Sequence, residues 1–257
     1  ALPIWYGNPE EVVTVENIEN VYNMKVAIEK NKYTDTIHLT PIEIKAKNNS
    51  IIMDNTQAFF QKPIFGIDTI YSCRKFFGVP DGAYLSTDTF LEEDIEFDLS
   101  KNRMEHILGR FEGQASDYYI NFQKNDEAFK ELPLRKMSNL TRNILGAIDY
   151  EKVRVARNSN FNYLHEKLNY KNILNIKVPD GAFAYPYYNK NGIETRKKLA
   201  EKKIYIPTLW SNVLSKNDKS SIEYDYAANI LSLPCDQRYG IKEMEYLYEI
   251  LTIVEKN

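Results

Sequence analysis

The segment YSCRKFFGVPDGAYL, residues 71–85, places Arg74 and Lys75 between aromatic residues and continues into a turn that contains Gly, Pro, Asp and Gly. The overlapping stretches DTIYS and GAYLST, residues 68–72 and 82–87, predict two β-strands. Lys75 then follows the end of a strand. A lysine near apolar neighbours usually lies along the surface with its ammonium in water. Alternatively, its amine is partly desolvated and acts as a nucleophile.

The preceding stretch SIIMD, residues 50–54, predicts a short buried strand that ends at Asp54, and Gln57 follows three residues later. An Asp at a strand end is most often a turn or cap residue, and a neighbouring Gln is usually a satisfied loop amide. Together with Lys75 at the next strand end, however, they supply the groups that a pyridoxal cofactor requires. These are an amine for covalent attachment, a carboxylate for the ring nitrogen and an amide for the ring oxygen.

Composition and charge exclude several classes of protein. The chain has 257 residues, of which 43% are hydrophobic and 27% charged, so we expect a globular protein of one large or two smaller domains. A net charge of −3 with scattered lysines argues against nucleic-acid binding. Cys73 and Cys235 lack the spacing of a disulfide framework or a metal site. No apolar run approaches the roughly twenty residues needed to span a bilayer, and the N-terminus does not resemble a leader peptide. We therefore expect a soluble, cytoplasmic protein without a membrane or metal partner.

Helical patterns fill the middle of the chain. Residues 100–113 and 115–129 predict two helices, with Ser100 as an N-cap and Gly113 as a stop. Residues 138–168 predict two further helices, or one continuous helix, that carry the chain from one domain to another. Near the N-terminus, VENIENVYNMKVAIEKNKY, residues 15–33, also has a helical pattern.

The C-terminal part alternates between strands and helices, which favours an α/β subdomain. The final helix has Met244, Leu247 and Leu251 on one face, a pattern typical of core packing. The predicted strands are 182–188, 204–210 and 230–234, and the predicted helices are 193–202, 221–230 and 242–256.

Three stretches, IIMDNTQAFF, YSCRKFFGVPDGAYL and ILSLPCDQRYGIKEMEYLYEIL, resemble the DegT/StrS family of pyridoxal-phosphate-dependent nucleotide-sugar aminotransferases. The resemblance is particularly to a divergent branch found in surface-polysaccharide gene clusters, and it runs from about Ser50 to the C-terminus. In that family an Asp-x-x-Gln-Ala motif precedes the cofactor-binding lysine, a glycine and an Asp-Gly pair. The matching positions here are Asp54, Gln57, Ala58, Lys75, Gly78, Asp81 and Gly82.

The resemblance implies an α/β protein of the fold type I transferases, with a mostly parallel sheet in a cofactor-binding large domain, residues 1–150. A smaller α/β domain, residues 151–257, would follow. The implied activity is transfer of an amino group from an amino acid to a nucleotide-linked keto sugar, with pyridoxal 5'-phosphate as cofactor. Lys75 would hold the cofactor, Asp54 would keep its ring nitrogen protonated and Gln57 would orient the ring. The implied assembly is a homodimer with shared active sites.

Two departures from the family bear on the phosphate of the cofactor. The family usually has a serine five residues before the lysine, whereas Ile70 stands here, with Thr69 and Ser72 as displaced candidates. We take the backbone around Ser72 as part of the phosphate site. Only 53 residues precede Asp54, and they contain no Gly-Thr-Ser/Ala helix start, so we expect the N-terminal part of the cofactor domain to be incomplete.

Two rival functions stay open, and the missing phosphate motif supports the first of them. The first is a catalytically inactive relative that binds a sugar nucleotide or a partner protein. The second is a cofactor-dependent dehydratase or epimerase of the same fold, which would replace or reposition the lysine, so Lys75 argues against it.

Three further features are weaker candidates. Trp210 stands near an aromatic stretch that faces the sugar in the family, although tryptophans are often simply half-buried. Arg238 has a planar fork suited to an amino-donor carboxylate, or it forms a surface ion pair. The apolar segment around Phe76, Phe77 and Pro80 offers area for a two-fold interface.

Overall fold

The computed structural model describes two strands at residues 24–30 and 37–44, and the ranges 51–89, 94–114 and 116–256. These residues form a mixed α/β fold with small sheets. The strands are β1 Met24–Lys30, β2 Ile37–Ile44, β3 Ile52–Asp54, β4 Asp68–Ser72, β5 Ala83–Ser86, β6 Ala184–Tyr188 and β7 Ile230–Pro234. The α-helices are α1 Glu105–Glu112, α2 Tyr119–Ala128, α3 Asn139–Gly146, α4 Tyr150–Leu168, α5 Gly192–Glu201, α6 Val213–Lys216, α7 Ile222–Asn229 and α8 Ile241–Lys256.

Strand β4 is central in a three-stranded sheet of order β3-β4-β5. It pairs parallel with β3, with Asp54 opposite Ile70, and antiparallel with β5, with Ser72 opposite Ala83. Its side chains alternate between buried and partly exposed positions, as the period of two in a strand requires. The parallel pairing brings the carboxyl ends of β3 and β4 to the same edge.

The first hydrophobic cluster lies beneath the segment that follows β4. Its buried members are Cys73, Phe76, Phe77, Val79 and Leu145. Phe59 packs against this cluster, with its ring edge-on to Phe77 at 4.8 Å between centroids and stacked on Tyr150 at 6.1 Å. Aromatic pairs at such distances and angles contribute attraction beyond their area burial.

The second hydrophobic cluster joins the antiparallel pair β6 and β7 to the C-terminal helices. Helix α8 packs on α4 and α5, and its buried residues Met244, Leu247 and Leu251 form the predicted apolar face. Phe183 packs on the first cluster although it lies beyond residue 150. The proposed domain boundary near residue 150 therefore falls where side chains from both sides meet.

Most of the predicted helices and strands are confirmed, and Gly113 is the C-cap of α1. Residues 138–168 form two helices rather than one, because the Asp149 side chain accepts a hydrogen bond from the Lys152 backbone N–H and starts α4.

The strand expected at residues 204–210 is absent. Pro207 cannot donate a backbone hydrogen bond, and Lys203 and Trp210 both have positive φ angles, of 62° and 52°. The chain therefore turns at both ends of this segment.

Two other expectations are wrong in part. Ser100 does not cap an α-helix; Lys101–Arg103 form a 3₁₀ turn, α1 begins at Glu105, and the Ser100 hydroxyl lies 2.6 Å from that of Ser138. Within residues 15–33, Met24–Lys30 is strand β1, paired antiparallel with β2. Alternating β-branched residues in MKVAIEK favour this extended structure. The rest of that predicted helix lies outside the described residues.

The tetrapeptide Val-Pro-Asp-Gly occurs twice, at residues 79–82 and 178–181, and a strand follows shortly after each copy. Gly82 and Gly181 have positive φ angles, of 103° and 61°, which glycine adopts readily. Gly181 is also close to another segment, because a β-carbon at this position would clash with the ring of Phe60.

We expect Gly181→Ala to lower the free energy of unfolding by about 3 kcal/mol, since it combines an unfavourable φ with overpacking against Phe60. Gly66→Ala is the matched control: Gly66 has a φ of 76°, but no atom lies within 4 Å of an added β-carbon. That variant should lose only about 1 kcal/mol. Urea unfolding of the two variants measures the difference, and equal losses would contradict the packing of Phe60 on Gly181.

Candidate functional site

Asp54, Thr56 and Lys75 meet at the edge where β3 and β4 end. Thr56 donates its backbone N–H to Asp54 Oδ1 at 2.9 Å, and Lys75 Nζ donates to Thr56 Oγ1 at 3.3 Å. The parallel ladder continues one residue past β3, because the Asn55 N–H donates to the Ile70 carbonyl. A carboxylate and an amine that are 21 positions apart in sequence are thus joined through one threonine.

Lys75 owes its position to a turn that directly follows β4. The Cys73 carbonyl accepts hydrogen bonds from the N–H groups of both Phe76 and Phe77, at 3.1 and 2.9 Å. The side chains of Cys73, Phe76 and Phe77 point into the first hydrophobic cluster, whereas Lys75 is exposed. Burial among the described residues therefore does not desolvate the amine.

The electrostatics of the site favour an ionised carboxylate. Hydrogen bonds from Thr56 lower the pKa of Asp54, and the positive charge of Lys75 adds to this effect. Within the described part of the chain, no carboxylate lies within ion-pair distance of Lys75. The amine consequently has a neutral hydroxyl as its nearest polar partner.

Gln57 lines a cleft of about 320 Å³ between the segment after β3 and the C-terminal half. The walls of the cleft are mainly apolar, and its lining includes Gln57, Ala58, Phe161, Asp180, Phe183 and Leu209. A volume of this size is at the lower end of the range for small-molecule sites. The cleft is therefore a small concave surface that includes Gln57, the residue directly after Thr56.

Ser72, the candidate for the phosphate site, is the last residue of β4 and is half-buried. Cys73 continues the ladder by donating its N–H to the Gly82 carbonyl at 3.1 Å. Thr69, the other candidate, is fully buried, and its hydroxyl donates to the Ile67 carbonyl at 3.1 Å. Of the two, only Ser72 has partial access to solvent.

Among the described residues, neither weaker candidate has a hydrogen bond or ion pair to Asp54, Thr56 or Lys75. Trp210 is 64% exposed, and its neighbour Leu209, rather than Trp210 itself, contributes to the cleft. Arg238 forms a two-point ion pair with Asp236, with Nε and Nη2 at 2.7 and 2.9 Å from the carboxylate oxygens. A carboxylate ligand would have to compete with Asp236 for the guanidinium of Arg238.

Thr56 is the residue of this site that the sequence reasoning missed. Its backbone N–H bonds to the side chain two residues before it, which is the geometry of an Asx turn. The Asp-x-Thr spacing after a predicted strand was the available signal. It indicates a turn, but it does not show that the threonine hydroxyl reaches Lys75.

Asp81, part of the Asp-Gly pair, anchors the chain on the far side of the Lys75 turn. Its buried carboxylate accepts hydrogen bonds from the backbone N–H and hydroxyl of Ser138, at 2.8 and 2.9 Å, and from the hydroxyl of Thr141. Burial raises the pKa of Asp81, but these hydrogen bonds outweigh it and leave the pKa below its ordinary value. The turn is thereby fixed to the start of α3.

The two cysteines are buried and free, and burial raises the pKa of each thiol to about 12. Neither is suited to act as a nucleophile near neutral pH. In the described ranges, no three His, Cys, Asp or Glu side chains come together as a metal site would require. The same ranges contain no helix with the length and apolarity needed to cross a bilayer.

Comparison of the chain with family models, curated proteins and solved structures finds no match. The resemblance to the DegT/StrS family therefore stays a prediction from the sequence motifs.

We expect Asp81→Asn to lower the free energy of unfolding at neutral pH by about 3 kcal/mol, since the amide replaces an acceptor of three buried hydrogen bonds. Because the pKa of Asp81 is lower in the folded state, its contribution is present above the unfolded pKa of about 4 and is lost as the pH falls further. Denaturant titrations of the wild type and the variant at several pH values measure the loss in free energy of unfolding and its dependence on pH.

Asp180→Asn provides the control from the second Val-Pro-Asp-Gly copy. Asp180 is partly exposed and pairs with Arg154 and Asn158. Its substitution should lower the free energy of unfolding by less than about 1 kcal/mol. A loss from Asp81→Asn as small as this, or one that persists unchanged at low pH, would contradict the buried, ionised carboxylate.

Proposed function

We propose that the protein is a pyridoxal-phosphate-dependent aminotransferase that acts on a nucleotide-linked keto sugar in surface-polysaccharide biosynthesis. The observation that carries the proposal is the contact of Lys75 with Thr56, which in turn binds Asp54. An amine and an ionised carboxylate held at one sheet edge are the two groups that a pyridoxal cofactor most needs from its protein.

The described residues fit this cofactor at its aldehyde and its ring nitrogen. Lys75 is exposed and has no competing ion pair in the described ranges, so its amine is accessible for covalent attachment. The lowered pKa of Asp54 keeps a negative charge available to hold a proton on a ring nitrogen. Pyridoxal phosphate, when bound, supplies an electron sink for the substrate carbon.

In the proposed reaction each residue has a defined task. Lys75 would hold the cofactor, and its amine would move a proton at the substrate carbon. Asp54 would stabilise positive charge at the ring nitrogen, and Thr56 contacts both Lys75 and Asp54. Gln57 would orient the ring, and the backbone around Ser72 would contribute to phosphate binding.

The identity of the substrate rests on the sequence resemblance. The parallel pair β3 and β4 is compatible with the fold type I large domain that we propose. The cleft beside Gln57 has mainly apolar walls with a few polar lining residues, which suits a ligand with both apolar and polar faces. An amino acid, such as glutamate, would be the amino donor.

The homodimer is also a proposal, and the argument for it from exposed apolar area does not hold. Phe76, Phe77 and Pro80 are buried within the chain itself, so they leave no apolar area that a second subunit must cover. What supports a dimer is the resemblance to a family of shared-site dimers.

A catalytically inactive relative that binds a sugar nucleotide or partner protein is the alternative, favoured by the exposure of Lys75 and the weak phosphate site at Ser72.

Absorption spectroscopy with added pyridoxal phosphate tests the cofactor assignment. We expect the wild-type protein to gain a visible absorption band that borohydride removes, with the cofactor fixed to Lys75 in the peptide map. Lys75→Ala should show neither the band nor transamination, because it lacks the amine. Lys62→Ala, which removes an exposed lysine from the segment after β3, should behave like the wild type. A wild-type protein that stays colourless would favour the binding-protein alternative.

We expect Asp54→Asn to bind the cofactor but to slow turnover by two or more orders of magnitude, equivalent to about 3 kcal/mol in the barrier. The amide retains the shape of the side chain and loses the charge opposite the ring nitrogen. Steady-state kinetics of the reconstituted variant measure this. A variant as fast as the wild type would remove Asp54 from the proposed mechanism while leaving Lys75 in place.

A further inference from the structure

Arg157 of α4 is a buried arginine that reaches the residue next to Lys75. The side chain is only 2% exposed; Nη1 donates to the Ala182 carbonyl at 2.8 Å, and Nη2 lies 3.4 Å from the Phe76 carbonyl. The guanidinium carbon also lies 4.5 Å from the centroid of the Phe76 ring. Arg157 therefore holds both the backbone and the ring of Phe76.

A second side chain from the C-terminal half binds the same carbonyl. Gln237 follows β7, and its Nε2 donates to the Phe76 carbonyl at 2.7 Å. The loop that carries Gln237 is itself fixed to α4, because Asn160 Nδ2 donates to the Asp236 and Tyr239 carbonyls, at 3.2 and 2.9 Å. One carbonyl, directly after Lys75, thus accepts two hydrogen bonds from elements more than 80 residues later in the chain.

The guanidinium of Arg157 binds backbone carbonyls rather than a carboxylate. In the ranges that the structure describes, no carboxylate lies within ion-pair distance of its guanidinium. Burial lowers the pKa of Arg157, and the more distant Asp236 opposes this. Burying a charged group is unfavourable unless its hydrogen bonds compensate. We therefore expect the role of the buried Arg157 side chain to be the fixing of the backbone carbonyls that it binds.

We propose that Arg157, with Gln237, is a positioning residue that fixes the Phe76 carbonyl and thereby keeps the Lys75 amine beside Thr56. This inference rests on the proposed function only for the chemical task of Lys75. The mechanical link from Arg157 through Phe76 to Lys75 does not depend on that function. The turn hydrogen bonds from Phe76 and Phe77 to the Cys73 carbonyl hold the backbone of Lys75 between them. Displacement of Phe76 therefore displaces Lys75.

Hydrogen exchange measures the mechanical link without a cofactor. In Arg157→Met, which keeps an apolar side chain of similar length, the amides of Phe76 and Phe77 should exchange about tenfold faster than in the wild type. Arg157→Lys, which retains one donor, should restore part of the protection.

Arg196→Met is the matched control. Arg196 of α5 is also buried, and its hydrogen bonds to described residues go to the Ala227, Ala228 and Ile230 carbonyls, away from Lys75. This variant should leave exchange at Phe76 and Phe77 unchanged even where its melting temperature falls. Equal acceleration in Arg157→Met and Arg196→Met would reduce Arg157 to a general stabilising role and overturn the proposal.

Gln237→Leu keeps the proposal testable if Arg157→Met does not fold. Gln237 is half-buried, and its loss removes one of the two donors to the Phe76 carbonyl. We expect faster exchange at Phe76 and Phe77 in this variant as well. Because the donor that remains in each single variant holds the carbonyl only in part, the double variant should accelerate exchange by more than the product of the two single effects. Unchanged exchange in Gln237→Leu, or a purely multiplicative double variant, would contradict a shared anchor.

Labelling with pyridoxal phosphate then connects the anchor to Lys75. The lysine amine condenses with the aldehyde with loss of one water, and borohydride supplies a hydride that reduces the C=N bond to a stable C–N bond. We expect labelling of Lys75 to be about tenfold slower in Arg157→Met than in Arg196→Met, since small displacements of a reacting group are costly. Equal labelling rates would overturn the positioning role. If even the wild type is not labelled at Lys75, the proposed function fails, and the exchange data alone decide the anchor.

Discussion

Burial of two consecutive phenylalanines determines the arrangement around Lys75. Phe76 and Phe77 are 3% and 6% exposed, and both donate their backbone N–H groups to the Cys73 carbonyl. A turn that buries Cys73 and both rings leaves Lys75 on the outer side, where β3 delivers Asp54 and Thr56. The apolar cluster thus fixes the backbone from which the polar side chain of Lys75 extends into solvent.

The two Val-Pro-Asp-Gly copies show how tertiary partners give one local sequence two roles. Both contain a glycine with positive φ, and a strand follows each copy. Asp81 is buried at the start of α3, whereas Asp180 is partly exposed and pairs with Arg154 of α4. The turn chemistry is local, but the burial of each carboxylate depends on the helix that packs against it.

Local patterns were sufficient to predict most helices and strands and the end of β3 at Asp54, but β3 was expected to be buried, whereas Ile52 is 62% exposed and Asp54 is exposed. The approach of Asp54 to Lys75 depends on the parallel pairing of β3 with β4. The absent strand at residues 204–210 is rich in apolar and aromatic residues, but Pro207 and the two positive φ angles prevent regular pairing. Strand β1 was mistaken for a helix because MKVAIEK suits either period, and only pairing with β2 decides between them. Thr56, Arg157 and Gln237 act through contacts between distant segments, which no spacing in the sequence reveals.

The exposure of Lys75 restricts the kinds of chemistry that this site can support. A lysine that works without a cofactor usually depends on burial to make its amine reactive, and the described residues leave Lys75 in solvent. A cofactor relaxes this requirement, because the difficult chemistry belongs to the bound group and the protein contributes orientation and charge. An amine beside a hydroxyl and an ionised carboxylate nearby are what the described residues offer for that task. The anchoring of Phe76 therefore bears on the position of Lys75, whereas the proposed cofactor rests on the contact of Lys75 with Thr56 and on the sequence resemblance.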